Sequence, residues 1–191
     1  MKSTIVIQAA TCLTAAAAFG VSALSQPATP QLLRTQTAFE LTVRLPYAQA
    51  AALFGPEGER AWAGKHWNPQ FLYPQAPHDE QNAVFTIQHG PVTAVWVNTL
   101  FDLETRHFIY ACFLPGIMVS TIDVRFALTD TNTTQVHVVY TRTALAPVGN
   151  NHVTAFTEMD KTAAHDWQQA IDTHLASSKH EIRTVRRSRT R

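Results

Sequence analysis

The sequence predicts an α+β fold: a curved antiparallel sheet of about six strands wrapped around one long C-terminal helix, with two short helices after the first strand. Three observations carry that expectation. Residues 83–89, 92–102, 106–114, 117–129 and 133–145 alternate apolar and polar side chains, and turn residues such as Gly90-Pro91, Pro115-Gly116 and Thr131-Asn132 separate them. Beyond Gly149, the residues Val153, Phe156, Ala163, Trp167, Ala170 and Ile171 form an apolar stripe at helical spacing. Finally, 24 of the 191 residues are threonine, a β-branched side chain that suits a pleated surface.

Each element follows from local pattern. Phe39, Leu41, Val43 and Leu45 alternate against Glu40, Thr42 and Arg44, which makes a first strand of residues 37–45. Pro46 suits a first helical turn and opens a short helix to Phe54. Gly55-Pro56 breaks it, and a second short helix is expected from about Glu57 to Ala63. Residues 64–81, rich in Pro, Asn and Gln, read as an ordered loop carrying Trp67, Phe71 and Tyr73. Several strands of the meander exceed the usual five or six residues, so the sheet should twist and curve. Gly149 and Asn150-Asn151 cap a helix that ends near Ser177. A straight rod and a curved sheet do not meet flush, so a cavity is expected between them.

Composition narrows the class. Hydrophobic residues make up 46% of the chain, with ten Phe, four Trp and four Tyr, which excludes a disordered chain. Residues 1–25 read as a signal peptide, with Lys2 before an Ala-rich apolar stretch and small residues near Ala23 and Ser25; an uncleaved membrane anchor is the alternative. The protein is therefore expected in the periplasm or secreted. Residues 26–36 read as a linker, residues 37–177 as one domain, and residues 178–191 as a basic disordered tail. From Lys179 to Arg191 six basic residues face one acid, whereas residues 26–178 carry eight Lys/Arg and thirteen Asp/Glu. The acidic body excludes a nucleic-acid footprint, while the tail could touch an anionic membrane surface. Only Cys112 follows the leader, which excludes an internal disulfide in the domain.

Strand parity then places side chains. A two-residue turn at Gly90-Pro91 sets Phe85 opposite Trp96 and Ile87 opposite Ala94. A three-residue loop at Thr131–Thr133 would set Phe126 opposite Val138, Val124 opposite Tyr140 and Ile122 opposite Arg142. The expected cavity wall is Phe85, Trp96, Tyr110, Phe126 and Tyr140 from the sheet and Phe156 and Trp167 from the helix. Trp62, Trp67 and Tyr73 would lie over its open end, although the same aromatics would also serve as plain core. Arg142 shares the inward parity, and a buried guanidinium requires an acidic partner or an anionic ligand group unless it reaches solvent at the strand end. Glu57 and Glu59 flank Gly58; as acid–base catalysts one of them would need a raised pKa in an apolar pocket, and capping or pairing with Arg60 is the preferred role. No His pair has metal-ligand spacing, and neither a phosphate loop nor a Gly-x-Ser-x-Gly motif is present, so no metal or cofactor is expected.

Five stretches carry a family resemblance: residues 53–62 (Leu-Phe-Gly-Pro-Glu-Gly-Glu-Arg-Ala-Trp), 67–74 (Trp-Asn-Pro-Gln-Phe-Leu-Tyr-Pro), 95–97, 140–145 and Gly149-Asn150. They resemble the START-like helix-grip superfamily, also called SRPBCC, with its polyketide-cyclase-like and lipid-transfer-like members, and within it an uncharacterised bacterial subgroup. The resemblance spans about residues 37–176. Lys65-His66 intervene where the subgroup would have glycine directly before the tryptophan, and Phe101-Asp102-Leu103 stands where Tyr-Asp-Pro is expected. The resemblance implies a protein that binds an apolar or amphipathic small molecule, lipid- or polyketide-like, between sheet and helix. A cyclase- or isomerase-like enzyme using Arg142, Tyr110 or Glu57, and a structural or partner-binding domain with a filled core, are the alternatives.

Overall fold

The computed structural model describes residues 30–188, with side chains as far as 178. The signal-peptide reading therefore lies outside the described residues. Strands β1 (Arg34–Val43), β2 (Gln70–Tyr73), β3 (Val84–His89), β4 (Val92–Asp102), β5 (His107–Leu114), β6 (Met118–Asp130) and β7 (Thr133–Ala144) form one sheet. Helix α1 (Tyr47–Ala51) and a 3₁₀ turn (Gly58–Ala61) follow β1, and α2 (Pro147–Ser188) closes the fold.

The sheet order is β1-β7-β6-β5-β4-β3-β2, antiparallel at every pairing. The α+β helix-grip architecture stands, with seven strands rather than about six. The additional strand is β2, inside the segment expected to be loop: Gln70 and Phe71 pair with Thr86 and Phe85 along the sheet edge. β1 begins at Arg34, so the last residues of the expected linker belong to the sheet. Asn150 holds them there, accepting from the Leu33 amide at 2.8 Å and donating to the Gln31 carbonyl at 3.0 Å. Its side chain thus joins β1 to α2 rather than capping the helix, which starts earlier, at Pro147.

The β3–β4 register matches the expectation, with Phe85 opposite Trp96 and Ile87 opposite Ala94. The β6–β7 register does not. The turn has two residues, Thr131-Asn132, and a bulge follows between Leu128 and Asp130, so Phe126 faces Val136, Val124 faces Val138 and Ile122 faces Tyr140. The displacement is an even number of residues, so every side chain keeps its face.

Helix α2 packs on β1 and β7 and only grazes β6. It therefore covers one half of the concave face and leaves the half made by β3, β4 and β5 to the 3₁₀ turn and the Trp67 loop. The helix also runs to Ser188 rather than stopping near Ser177, because residues 178–188 contain no Gly or Pro to break it. The expected disordered tail is helical over that stretch. At its other end, a Cβ on Gly149 would come within 2.0 Å of the Ile117 carbonyl oxygen, so only glycine lets α2 start this close to the β5–β6 turn. Gly149→Ala is expected to cost about 1–3 kcal/mol as the helix start is pushed outward, measured as a lowered urea midpoint with an unchanged slope.

Candidate functional site

The 3₁₀ turn builds the acidic end of the site. Asp79 accepts hydrogen bonds from the amides of Glu57 (2.8 Å) and Gly58 (3.2 Å), which fixes the turn from outside. A Cβ on Gly58 would approach the Ala52 carbonyl oxygen to 2.0 Å, so glycine is required at this crossing. Arg60 turns away from the interior: its Nε donates to Glu57 at 2.7 Å, its Nη1 to Asn68 at 2.9 Å, and its Nη2 to the Pro69 carbonyl. Glu57 therefore takes the ion pair, and Glu59 is left to point inward.

Between sheet and α2 lie two adjoining lobes, of about 320 Å³ and about 280 Å³. Trp62, Trp67, Phe85, Trp96, Tyr110, Tyr140 and Trp167 line the first, together with Phe54, Ile122, Val124 and Glu59. The second is lined by Cys112, Leu114, Met118, Ser120, Arg142, Phe156 and Asp160. Trp67, Trp96, Tyr140 and Trp167 border both. Nine of the eleven expected wall residues thus meet around one space.

Two do not. Phe126 packs beneath α1 against Phe54 (5.4 Å between ring centres), Tyr47 (5.6 Å) and Phe108 (4.9 Å), as core. Tyr73 is 55% exposed, because the β2 bulge between Phe71 and Tyr73 turns it outward. Phe71 instead stacks on Phe85, 5.6 Å between ring centres.

Two of the four tryptophans are pinned by hydrogen bonds from their indole nitrogens. Trp62 Nε1 donates to the Leu53 carbonyl (2.7 Å) and Trp67 Nε1 to the Pro56 carbonyl (2.9 Å). The rings pair edge-on, Trp62 with Trp167 at 5.2 Å and Trp67 with Trp96 at 5.5 Å. Tyr110 donates to the Phe54 carbonyl.

Arg142 finds its acidic partner within the protein. Both side chains are almost fully buried; Nη1 donates to Asp160 Oδ2 and Nη2 to Oδ1 at 3.0 Å, and the Thr37 hydroxyl donates to the same carboxylate. The guanidinium also lies 4.3 Å from the centre of the Tyr140 ring. Breaking such a pair leaves a buried charge without compensation. Asp160→Ala is expected to cost about 3–5 kcal/mol, whereas Arg142→Met combined with Asp160→Leu should recover most of it, as read by chemical denaturation.

Burial in the cavity raises the pKa of four of the groups that line it, Glu59, Tyr110, Tyr140 and Cys112. Burial lifts the Glu59 carboxyl well above its usual value of 4.5, and Asp79 lifts it further. Burial likewise raises Tyr110 and Tyr140, with the charge of Glu59 adding to both, and pushes the Cys112 thiol to about 12. Glu59 and Tyr140 are lifted by desolvation and charge without any hydrogen bond to the acidic group. Glu59 lines the first lobe but is missing from the expected wall. Its only sequence signal was its place beside Glu57 in the Gly55–Trp62 block.

No family model matches the chain, and no curated protein matches its sequence. Solved structures do match in shape. An uncharacterised protein from Rhizobium leguminosarum superposes with a TM-score of 0.53 at 12% identity, covering 75% of this chain and 97% of its own. Norcoclaurine synthase from Thalictrum flavum gives 0.54 at 12% identity, covering 76% and 88%. A hypothetical protein from Helicobacter pylori gives 0.56 at 9%, covering 72% and 85%. The fold is a helix-grip. At such identities the likeness concerns the frame alone.

A carboxyl whose native pKa lies above its unfolded one binds the extra proton in the folded state. It therefore makes stability fall as pH rises from the unfolded value toward the native one. Asp79 is also raised by burial and acts in the same direction. Glu59→Gln should consequently gain stability over the parent at about pH 8 and little at about pH 4, a difference measured from urea midpoints at the two pH values.

Proposed function

We propose that this helix-grip protein is exported and binds an apolar or amphipathic small molecule, lipid- or polyketide-like, in the two-lobed cavity between the sheet and α2. The observation that carries this reading is the enclosure of both lobes by aromatic side chains from the sheet, the helix and the Trp67 loop. Walls of this kind with a few polar groups are the usual composition of small-molecule sites, and each lobe is near the lower end of their size range. The open volume also speaks against a domain whose core is simply filled. Export rests on the leader pattern of residues 1–25.

A second reading, a cyclase- or isomerase-like enzyme, draws support from Glu59. A carboxyl whose pKa burial raises well above its usual value, beside Tyr110 and Tyr140 in an apolar cavity, is the kind of group that general acid–base catalysis uses. Arg142 fits a catalytic part less well, since Asp160 already engages both of its terminal nitrogens.

Native mass spectrometry of gently purified protein should reveal a co-purifying molecule, and the emptied protein should take up a neutral dye such as Nile red. Trp96→Ala and Trp167→Ala should each change dye affinity several-fold. Both residues border open space, so Trp167→Ala should cost less than the roughly 3–5 kcal/mol of a fully packed aromatic. No dye uptake by the parent, with full core costs for both variants, would overturn the binding reading.

A further inference from the structure

The chain has four tryptophans, Trp62, Trp67, Trp96 and Trp167, and all four border the first lobe. Trp62 and Trp67 come from the segment after α1, Trp96 from β4 and Trp167 from α2, so three separate parts of the fold converge on this space. Among aromatic rings, indole attracts a cation most strongly. Two carboxyls line that lobe, Glu59 and the exposed Asp166 on α2, and Glu59 is given no cationic partner among the described residues.

The surrounding charges point the same way. Asp79 lies behind Glu59 and Asp166 comes from α2 at the border of both lobes. Tyr110 and Tyr140 face Glu59 from the sheet as neutral phenols. The nearest strong base lining the cavity, Arg142, is occupied by Asp160. The uncompensated charge around the first lobe is therefore acidic, and a second anion there would be repelled.

We propose that the first lobe receives the protonated nitrogen of an amphipathic amine, with Glu59 as its counter-ion and the tryptophan wall enclosing the cation and the apolar part beside it. This rests on the reading of the cavity as a small-molecule site and names the chemistry of the ligand's polar end. Burial favours the protonated carboxyl and an ammonium beside it favours the carboxylate, so binding lowers the pKa of Glu59 and releases protons at any pH where the free carboxyl still holds them. A neutral ligand would release none.

The test uses three probes that share one ring system and differ in charge: naphthylethylammonium, naphthylethanol and naphthylacetate. Calorimetry is run on the full chain at about pH 8, where a primary amine is still protonated. The ammonium should bind at least about tenfold more tightly than the alcohol, and the acetate most weakly. Titrations in two buffers of different ionisation heat, repeated between about pH 5 and pH 8, should show proton release on binding of the ammonium and none on binding of the alcohol. Glu59→Gln should erase both the preference for the ammonium and the proton release, so that the variant binds ammonium and alcohol alike. The Gln side chain keeps the shape of Glu59, so loss of folding is not the expected outcome, and detectable alcohol binding by the variant shows that the lobe still forms. Equal affinity for ammonium and alcohol, or a preference that survives Glu59→Gln, overturns the proposal and leaves the apolar site standing. Failure of all three probes to bind overturns both.

Discussion

Where α2 crosses the sheet, the Arg142 guanidinium and the Asp160 carboxylate face each other with almost no contact with water. Neither charge is tolerable there alone, because removing an ion from water costs more than any single interior contact returns. Each therefore holds the other in place, and with them β7 and α2; the Thr37 hydroxyl brings in β1. The pair fixes both the rotation and the height of the helix on the sheet. Two turns beyond Asp160 on the same helical face stands Trp167, which meets Phe39 at 5.1 Å, Trp62 at 5.2 Å and Phe54 at 6.4 Å. The aromatic cluster is assembled against a helix that the ion pair has already positioned.

A helix held on β1 and β7 cannot also cover β3 and β4. That geometric shortfall is the origin of the cavity, and it decides which groups face it. The second lobe contains an ion pair neutralised internally, so the first lobe receives no countercharge from Arg142. On the opposite wall Arg60 is drawn outward by Glu57, Asn68 and Pro69. The two arginines nearest the site are thus both engaged elsewhere, and Glu59 is left as an acid among indoles and phenols. Burial first, and the charge of Asp79 second, raise its pKa, and neither arginine is free to offset them.

Much of this was legible in the order of residues. Alternation and turn chemistry placed β3 through β7 within a residue or two and fixed the register at Gly90-Pro91, where a short turn leaves little freedom. The β6–β7 register was misplaced by the combination of a two-residue turn and a bulge, which balance in parity but not in position. β2 escaped notice because a four-residue edge strand with mixed exposure has no periodicity to read. Asp160 and Glu59 escaped for another reason. The sequence places a carboxylate near Arg142 or Arg60 only after the helix and the 3₁₀ turn are docked, and which of Glu57 and Glu59 takes Arg60 depends on Asn68 and Pro69 from the following loop. Tyr73 was misassigned by one local irregularity in β2, and Phe126 by its depth along an otherwise correctly faced strand.

The convergence of every tryptophan on one cavity has an optical consequence. Indole dominates the near-ultraviolet absorption and emission of proteins, and here no tryptophan lies elsewhere to dilute the signal. Ring centres 5.2 and 5.5 Å apart allow excitation to pass between neighbours within each pair. The colour and lifetime of the light the whole molecule emits are thus set by the polarity of a single interior space. A molecule entering that space is announced without any label, and the same four rings that shape the wall serve as its spectroscopic window.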